Sequence, residues 1–240
     1  MAQPASSHHS NHLLSSLSPA DFGLVQPHLE ALDLDLRQSL EEGNKPIKYA
    51  YFPESGFASV VATSARRRQI EVGIIGREGM SGINVVMGND RSPHATYMQV
   101  AGMGSRITAD HLRSAMEKSP SLQNYFLHFA QSFMLQTAHT ALANGQAKIE
   151  ERLARWLLMA HDRVDGDKIP LTQEFLSLMM SVRRAGVTVA LQMLRDRALI
   201  DTKRGFIVIL DRAGLKKIAN GLYGIPEAES WRLTGWRAKP

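Results

Sequence analysis

The sequence contains no cysteine. That removes disulfides, a cysteine nucleophile, zinc-thiolate sites and any cysteine-ligated iron-sulfur cluster from the chemistry open to it. Long apolar runs are missing too. None approaches the ~18 to 20 residues that span a bilayer, so no membrane partner is expected. The opening stretch, MAQPASSHHSNH, has no basic segment followed by an apolar one, so no secretory signal is expected and the protein is placed in the cytoplasm. Catalytic signatures are equally scarce. There is no HExxH, GxSxG or P-loop, and His94, His111, His128, His139 and His161 are scattered singles with no supporting carboxylate pair. An enzyme is the weakest functional class.

Positive charge is present, and it is localised. The formal net charge is +5, and the segment from Lys148 to Lys217 alone holds 14 Lys and Arg against 9 Asp and Glu, the whole excess. A polyanion-facing surface is therefore expected in the C-terminal third. Within it, Leu171 to Leu199 reads as two helices joined by a tight turn, with Thr172 capping the first and Ser181 opening the second. At ~100° per residue, Val187, Ala190, Leu191, Leu194 and Ala198 share one apolar stripe. Arg184, Ala185, Thr188, Val189 and Gln192 share the opposite face. Two β-rich runs, Leu199 to Asp201 and Phe206 to Leu210, bracket Thr202-Lys203-Arg204-Gly205, so a basic hairpin follows the second helix. Together these are the parts of a winged helix-turn-helix that reads DNA.

The remainder of the chain supplies a different architecture. Residues 1 to about 18 are rich in Ser and His, with little to bury, and read as a mobile tail. His8, His9 and His12 have no scaffold that would make them metal ligands. From about Leu34 to Ile107, short apolar runs alternate with turn residues, including Phe57 to Ala62 and Gln69 to Ile75 around a Ser64 to Arg68 tip. That spacing predicts an antiparallel sandwich or roll. The glycine cluster from Ile75 to Gly82, with Asp90-Arg91-Ser92-Pro93 beyond it, could turn N–H groups and an arginine toward an anion, or simply make tight turns. A long helix follows from about Ser121 to Ala143. Leu122, Phe126, Phe129, Phe133, Gln136 and Thr140 recur at the 4, 3 spacing of a coiled-coil seam and are assigned to a dimer interface. Leu127, Ala130, Met134, Ala138 and Ala141 form a second stripe beside it. One helix with two faces to bury needs two partners, the chain's own β-roll and a symmetry mate. Asn144 to Lys148 is the expected hinge, and the next helix, Ile149 to Ala160, carries Glu151 and Arg155 as an exposed pair.

The segments IEERLARWLL and IPLTQEFLSLMMSVRRAGVTVALQMLRDRALI, followed by Lys203-Arg204-Gly205, resemble the Crp/Fnr transcriptional regulators. The resemblance covers about residues 21 to 220 in element order. It implies an α+β fold: an N-terminal antiparallel, jelly-roll-like β-roll, a long central dimerisation helix and a C-terminal winged helix-turn-helix. The corresponding boundaries are a flexible tail (1–20), the sensor roll (21–117), the central helix (118–145), the DNA-binding domain (146–222) and a C-terminal tail (223–240) carrying Trp231 and Trp236. The partners implied are double-stranded DNA with a near-palindromic operator, a second copy of the chain, and RNA polymerase. Thr172 and Gln173 fall where the family's first helix touches the DNA backbone, and Arg184 falls on the arginine that reads guanine. Ser181, Arg183, Ala185, Thr188, Val189, Lys203 and Arg204 complete the DNA-binding set. The family often has glutamate in place of Ala185 and an arginine or polar residue in place of Val189; apolar groups there cannot read cytosine.

For the effector, the resemblance points to Glu78, Arg91, Ser92 and Thr137. The fit to a cyclic AMP site is incomplete. Counting back from Ile107 without gaps puts Ser92 where the arginine belongs, Glu78 lies further from Arg91 than the pattern requires, and Ala138 replaces a serine. Another small effector, or none, is favoured over a cyclic nucleotide, and no cofactor is assigned. The alternative function is a ligand-binding module whose winged helix makes a protein-protein contact instead of reading DNA.

Overall fold

The computed structural model describes residues 9–171 and 173–240. In chain order the first part comprises α1 (His12–Ser15), α2 (Pro19–Val25), β1 (Glu30–Leu34), β2 (Ser39–Glu41), β3 (Tyr49–Pro53), β4 (Phe57–Thr63), β5 (Gln69–Ile75), α3 (Ile83–Val86), β6 (Ala95–Val100), β7 (Gly102–Thr108) and α4 (Ala109–Lys118). Its strands make two antiparallel sheets, ordered β1-β7-β3 and β2-β6-β4-β5. This is the expected roll, and β4 and β5 pair around the Ser64 to Arg68 tip as the sequence predicts. In the second sheet β5 is an edge strand, bonded to β4 alone.

The long helix α5 runs from Pro120 to Gln146. Its start is dictated locally: Ser119 Oγ accepts the Leu122 N–H at 3.2 Å, and Pro120 takes a first-turn position whose missing N–H costs nothing. The helix continues through Asn144 and Gly145, which the sequence assigned to the hinge, and the break falls at Ala147, in extended conformation. Then come α6 (Ile149–His161), β8 (Lys168–Pro170), α7 (Gln173–Met179), α8 (Arg184–Asp196), β9 (Ile200–Lys203), β10 (Phe206–Ile209), α9 (Arg212–Ile218) and α10 (Ile225–Thr234). A third antiparallel sheet, β8-β10-β9, makes the wing. No described helix is long and apolar enough to cross a membrane.

Two large hydrophobic cores organise the chain, beside a smaller cluster of Leu34, Leu40, Tyr51, Ala58 and Met98 in the roll. One fills the roll and takes in Phe52, Leu112, Leu122, Phe126 and Phe129. The other joins α6 to the winged helix and extends onto the roll through Phe57, Ile74 and Val100. Both expected tails depart from the reading of the sequence. Leu13 and Leu14 on α1 are buried in the roll's core, and Asn11 Nδ2 donates to the carbonyls of Pro53 and Gly79, both at 2.8 Å. Two leucines, each worth ~1.5 to 3 kcal/mol when buried, offset the ordering of a polar segment. Residues 1–8, including His8, lie outside the described residues. At the other end α10 packs on α5, where Thr234 O accepts from His12 Nε2 (2.8 Å) and Tyr125 Oη (3.2 Å), and Trp236 is buried beside Arg163.

Candidate nucleic-acid interface and the cavity in the roll

On α8, Val187, Ala190, Leu191 and Leu194 are buried, as their spacing predicts, whereas Ala198, the fifth residue of that stripe, lies beyond the helix end, exposed and with φ +55°. Arg184, Ala185, Thr188, Val189 and Gln192 all lie on the exposed face, with Val189 70% exposed. The turn before it is not opened by Ser181, as the sequence had suggested. Ser181 has φ +50°, its N–H bonds to Leu178 O, and the Val182 N–H reaches Ser177 O. This left-handed residue with its paired bonds closes α7, and α8 begins at Arg184 with Arg183 as its flanking residue. Ser181 and Arg183 remain exposed next to the helix start. Thr172 and the side chain of Gln173 lie outside the described residues. The wing turns at Gly205, φ +86°, and presents Lys203 and Arg204 to solvent. Lys203 Nζ is 2.8 Å from Asp201, an exposed pair that a phosphate could replace at little cost.

The roll encloses a cavity of about 500 Å³ against α5. Val60, Val72, Ile75, Ile83 and Phe133 give it an apolar wall, and Glu41, Ser92 and Thr137 bring polar groups. Glu41 is 7% exposed, and its Oε1 accepts the Gly82 N–H at 2.8 Å. Burial raises its carboxyl above the ordinary range, against the pull of the Gly82 and Thr96 hydrogen bonds.

Residues 151–218 match the model of the Crp-like helix-turn-helix domain. FixK2 from Bradyrhizobium japonicum is similar in structure, with a TM-score of 0.69 at 14% identity over 79% of this chain and 96% of that one. TTHB099, a CRP-family transcriptional regulator from Thermus thermophilus, gives 0.64 at 17% over 79% and 97%. The c-di-GMP responsive global regulator CLP of Xanthomonas campestris gives 0.62 at 15% over 80% and 99%. The chain has the Crp/Fnr fold, ending in a Crp-like helix-turn-helix domain. Compared by sequence with curated proteins, it matches none.

Within this Crp/Fnr fold the four effector residues separate. Ser92 and Thr137 line the cavity. Arg91 does not: it lies in the loop before β6, is exposed, and pairs with Asp90 at 3.4 Å. Glu78 is committed elsewhere. It is buried and ion-paired with Arg163 at 2.7 Å, tying the roll to the end of α6. The carboxylate that does face the cavity, Glu41, has no signature in the sequence beyond its place in a short β-rich run.

The Crp/Fnr central helix also reverses the expected assignment of its two stripes. Leu122, Phe126 and Phe129 are buried within the chain's own roll, and Gln136 Oε1 accepts the Ile74 N–H at 2.7 Å. Phe133 packs on the same core and Thr140 is half-buried, bonding to Gln136 O. Leu122, Phe126, Phe129 and Gln136 are thus turned to the chain's own roll, while Phe133 and Thr140 are half-buried. The stripe left open contains Leu127, Met134, Ala138, Ala141 and Leu142, with Met134 63% exposed; Ala130 alone of that stripe is buried. Phe129 and Phe133 pack onto Gly79 and Gly73 of the roll, where a Cβ would collide with the rings. The expected Glu151–Arg155 surface pair is likewise replaced. Arg155 is buried and donates to Leu222 O and Thr140 Oγ1, while Glu151 accepts the Lys148 N–H and caps α6.

The winged helix contacts the roll through polar groups that the sequence did not single out. Trp156 Nε1 donates to Glu71 on β5 at 2.5 Å, and the same carboxyl touches Ser59. Glu71 is fully enclosed, and burial lifts its pKa to about 7 despite those hydrogen bonds and the nearby Arg155 and Arg163. The Arg37 guanidinium sits 5.4 Å over the Phe175 ring of α7. Among the described residues no cluster of metal-ligating side chains is present.

Proposed function

We propose that the protein is a homodimeric, sequence-specific DNA-binding transcriptional regulator whose β-roll senses a small effector. The observation that carries the reading is the exposed face of α8, opened by Arg183 and Arg184 and flanked by the basic wing. A guanidinium can bond O6 and N7 of guanine together, so Arg184 is the base-reading residue, and Ala185 and Val189 offer methyl groups to thymine. Arg183, Lys203 and Arg204 contact phosphates, and Thr172 and Gln173 are assigned the same role. The open stripe on α5, from Leu127 to Leu142, is the dimer seam. Two-fold symmetry then places two α8 helices ~34 to 36 Å apart in successive major grooves of a near-palindrome, where RNA polymerase can be recruited or blocked.

Selection of binding sites from random duplexes, followed by competition at varied salt, tests this. Arg184→Ala is expected to abolish sequence preference and retain weak binding that falls by ~0.9 log units per log unit of salt for each phosphate neutralised. Unchanged operator selectivity removes the role given to Arg184. No binding to genomic fragments at ~50 mM salt removes the DNA-reading function altogether and favours a protein-protein role for the winged helix.

A further inference from the structure

We propose that the roll's cavity binds a cationic amine carried on an apolar body, and not an anionic nucleotide. The proposal rests on the reading of the roll as a sensor and names the chemistry that it senses. The cavity, about 500 Å³, has the size of a small-molecule site, and its walls are largely aliphatic and aromatic. Its one acidic group is Glu41. Among the described residues that line it, none is Lys or Arg, and the one basic side chain is the imidazole of His94. A phosphate would enter with no guanidinium or ammonium to receive it and with a carboxylate on the wall. The nearest arginine in sequence, Arg91, is exposed in the loop before β6 and pairs with Asp90, outside the cavity lining.

Glu41 is the reverse of a phosphate cradle. It is 7% exposed, sits on β2 at the cavity wall, and among the described residues has no ion pair. A buried carboxylate normally finds a cation or takes up a proton. The Gly82 N–H and the Thr96 hydroxyl hold the carboxylate in place, and its two oxygens, with about four acceptor sites, keep capacity for a ligand N–H. An ammonium group there would supply the missing charge, and the apolar body would lie against Val60, Val72, Ile83 and Phe133. Thr137 strengthens the preference for a donor: its hydroxyl hydrogen is spent on Phe133 O at 3.0 Å, so toward the cavity it offers an acceptor. At the rim, Met87 is 50% exposed, and its flexible thioether side chain accommodates bodies of different shape.

The test uses the full chain at pH 8, where ordinary imidazoles are neutral, and three probes with one tail: octylamine, octanol and octanoate, with cyclic AMP as a fourth. Calorimetric titration is expected to rank octylamine first, roughly tenfold tighter than octanoate, with no binding of cyclic AMP. Glu41→Gln keeps the shape and removes the charge, and is expected to erase the advantage of the amine. Ile83→Trp, which fills the cavity and leaves Glu41 intact, is expected to lose all three probes; circular dichroism of both variants confirms that they fold. Octanoate binding as tightly as octylamine, displacement of octylamine by cyclic AMP, or an amine preference that survives either substitution overturns the proposal. A gel shift with and without octylamine separates this from the sensing function. Amine binding that leaves DNA affinity unchanged removes the sensor role and keeps the ligand class.

Discussion

Raising the pH from 5 to 8 should loosen the joint between the roll and the winged helix, and Glu71 is the group responsible. Its carboxyl lies on β5, fully enclosed, against Ser59 and Trp156. Ser59 Oγ also touches the amide oxygen of Gln99, and a hydroxyl has one hydrogen to give. A proton on Glu71 satisfies the cluster: Glu71 donates to Ser59, and Ser59 donates to Gln99. In the unfolded chain the same carboxyl titrates at an ordinary value near 4.5, against about 7 when folded. The folded state therefore holds a proton that the unfolded state releases, so its contribution to stability is complete below about pH 4.5 and is lost as pH rises through about 7. At 1.36 kcal/mol per pH unit the gap amounts to about 3 kcal/mol. Glu71→Gln mimics the neutral form, keeps an acceptor for Trp156 Nε1 and supplies a donor for Ser59. Urea unfolding followed by tryptophan fluorescence should find the variant close to wild type at pH 5 and more stable by up to about 3 kcal/mol at pH 8. A stability difference that does not change with pH refutes the reasoning, because every other titrating group is common to both proteins.

Three further perturbations probe the rest of the structure. Met134→Glu places a charge on the open stripe of α5 and should convert a dimer to a monomer in sedimentation; an unchanged mass removes that stripe from the interface. Phe126→Ala empties a fully buried ring position and should cost ~3 to 5 kcal/mol in chemical denaturation while leaving the oligomeric state alone. Arg163→Met strands the buried Glu78 carboxylate and should cost ~3 to 5 kcal/mol, whereas Arg163→Met with Glu78→Gln should recover part of the loss. A double variant less stable than the single one would show that the pair is held for some other reason.

The winged helix was legible because its signals are local. Apolar periodicity on α8, the basic tip between β9 and β10, and the clustering of arginines each lie within a few residues of one another. The roll's strands were legible for the same reason. What escaped depends on distant partners. Ser and His surround Leu13 and Leu14, so the segment reads as polar, yet both leucines are received by a core that includes Phe52, Ile75 and Phe126. Both stripes of α5 carry the 4, 3 spacing, and spacing cannot say which one meets the chain's own sheet. That choice follows from Gly73 and Gly79, whose missing side chains admit Phe133 and Phe129, and from Ile74, whose N–H and C=O engage Gln136. Glu78 and Glu41 were indistinguishable as carboxylates in β-rich surroundings; Arg163, 85 residues after Glu78, separates their roles. Ser181 was misplaced by two residues because a serine with positive φ is rare, and only the paired bonds to Ser177 and Leu178 reveal that it ends one helix instead of starting the next.

The strand β5 is a party wall. Val72 and Ile75 face the cavity, while Glu71 and Ile74 face the winged helix and its core. A wall one strand thick has no interior in which to dissipate strain, and this one is fastened along a single edge, to β4. Crowding on one side is therefore felt on the other without any intermediary. Tenancy of the cavity and the seating of Trp156 are two descriptions of the position of the same seven residues.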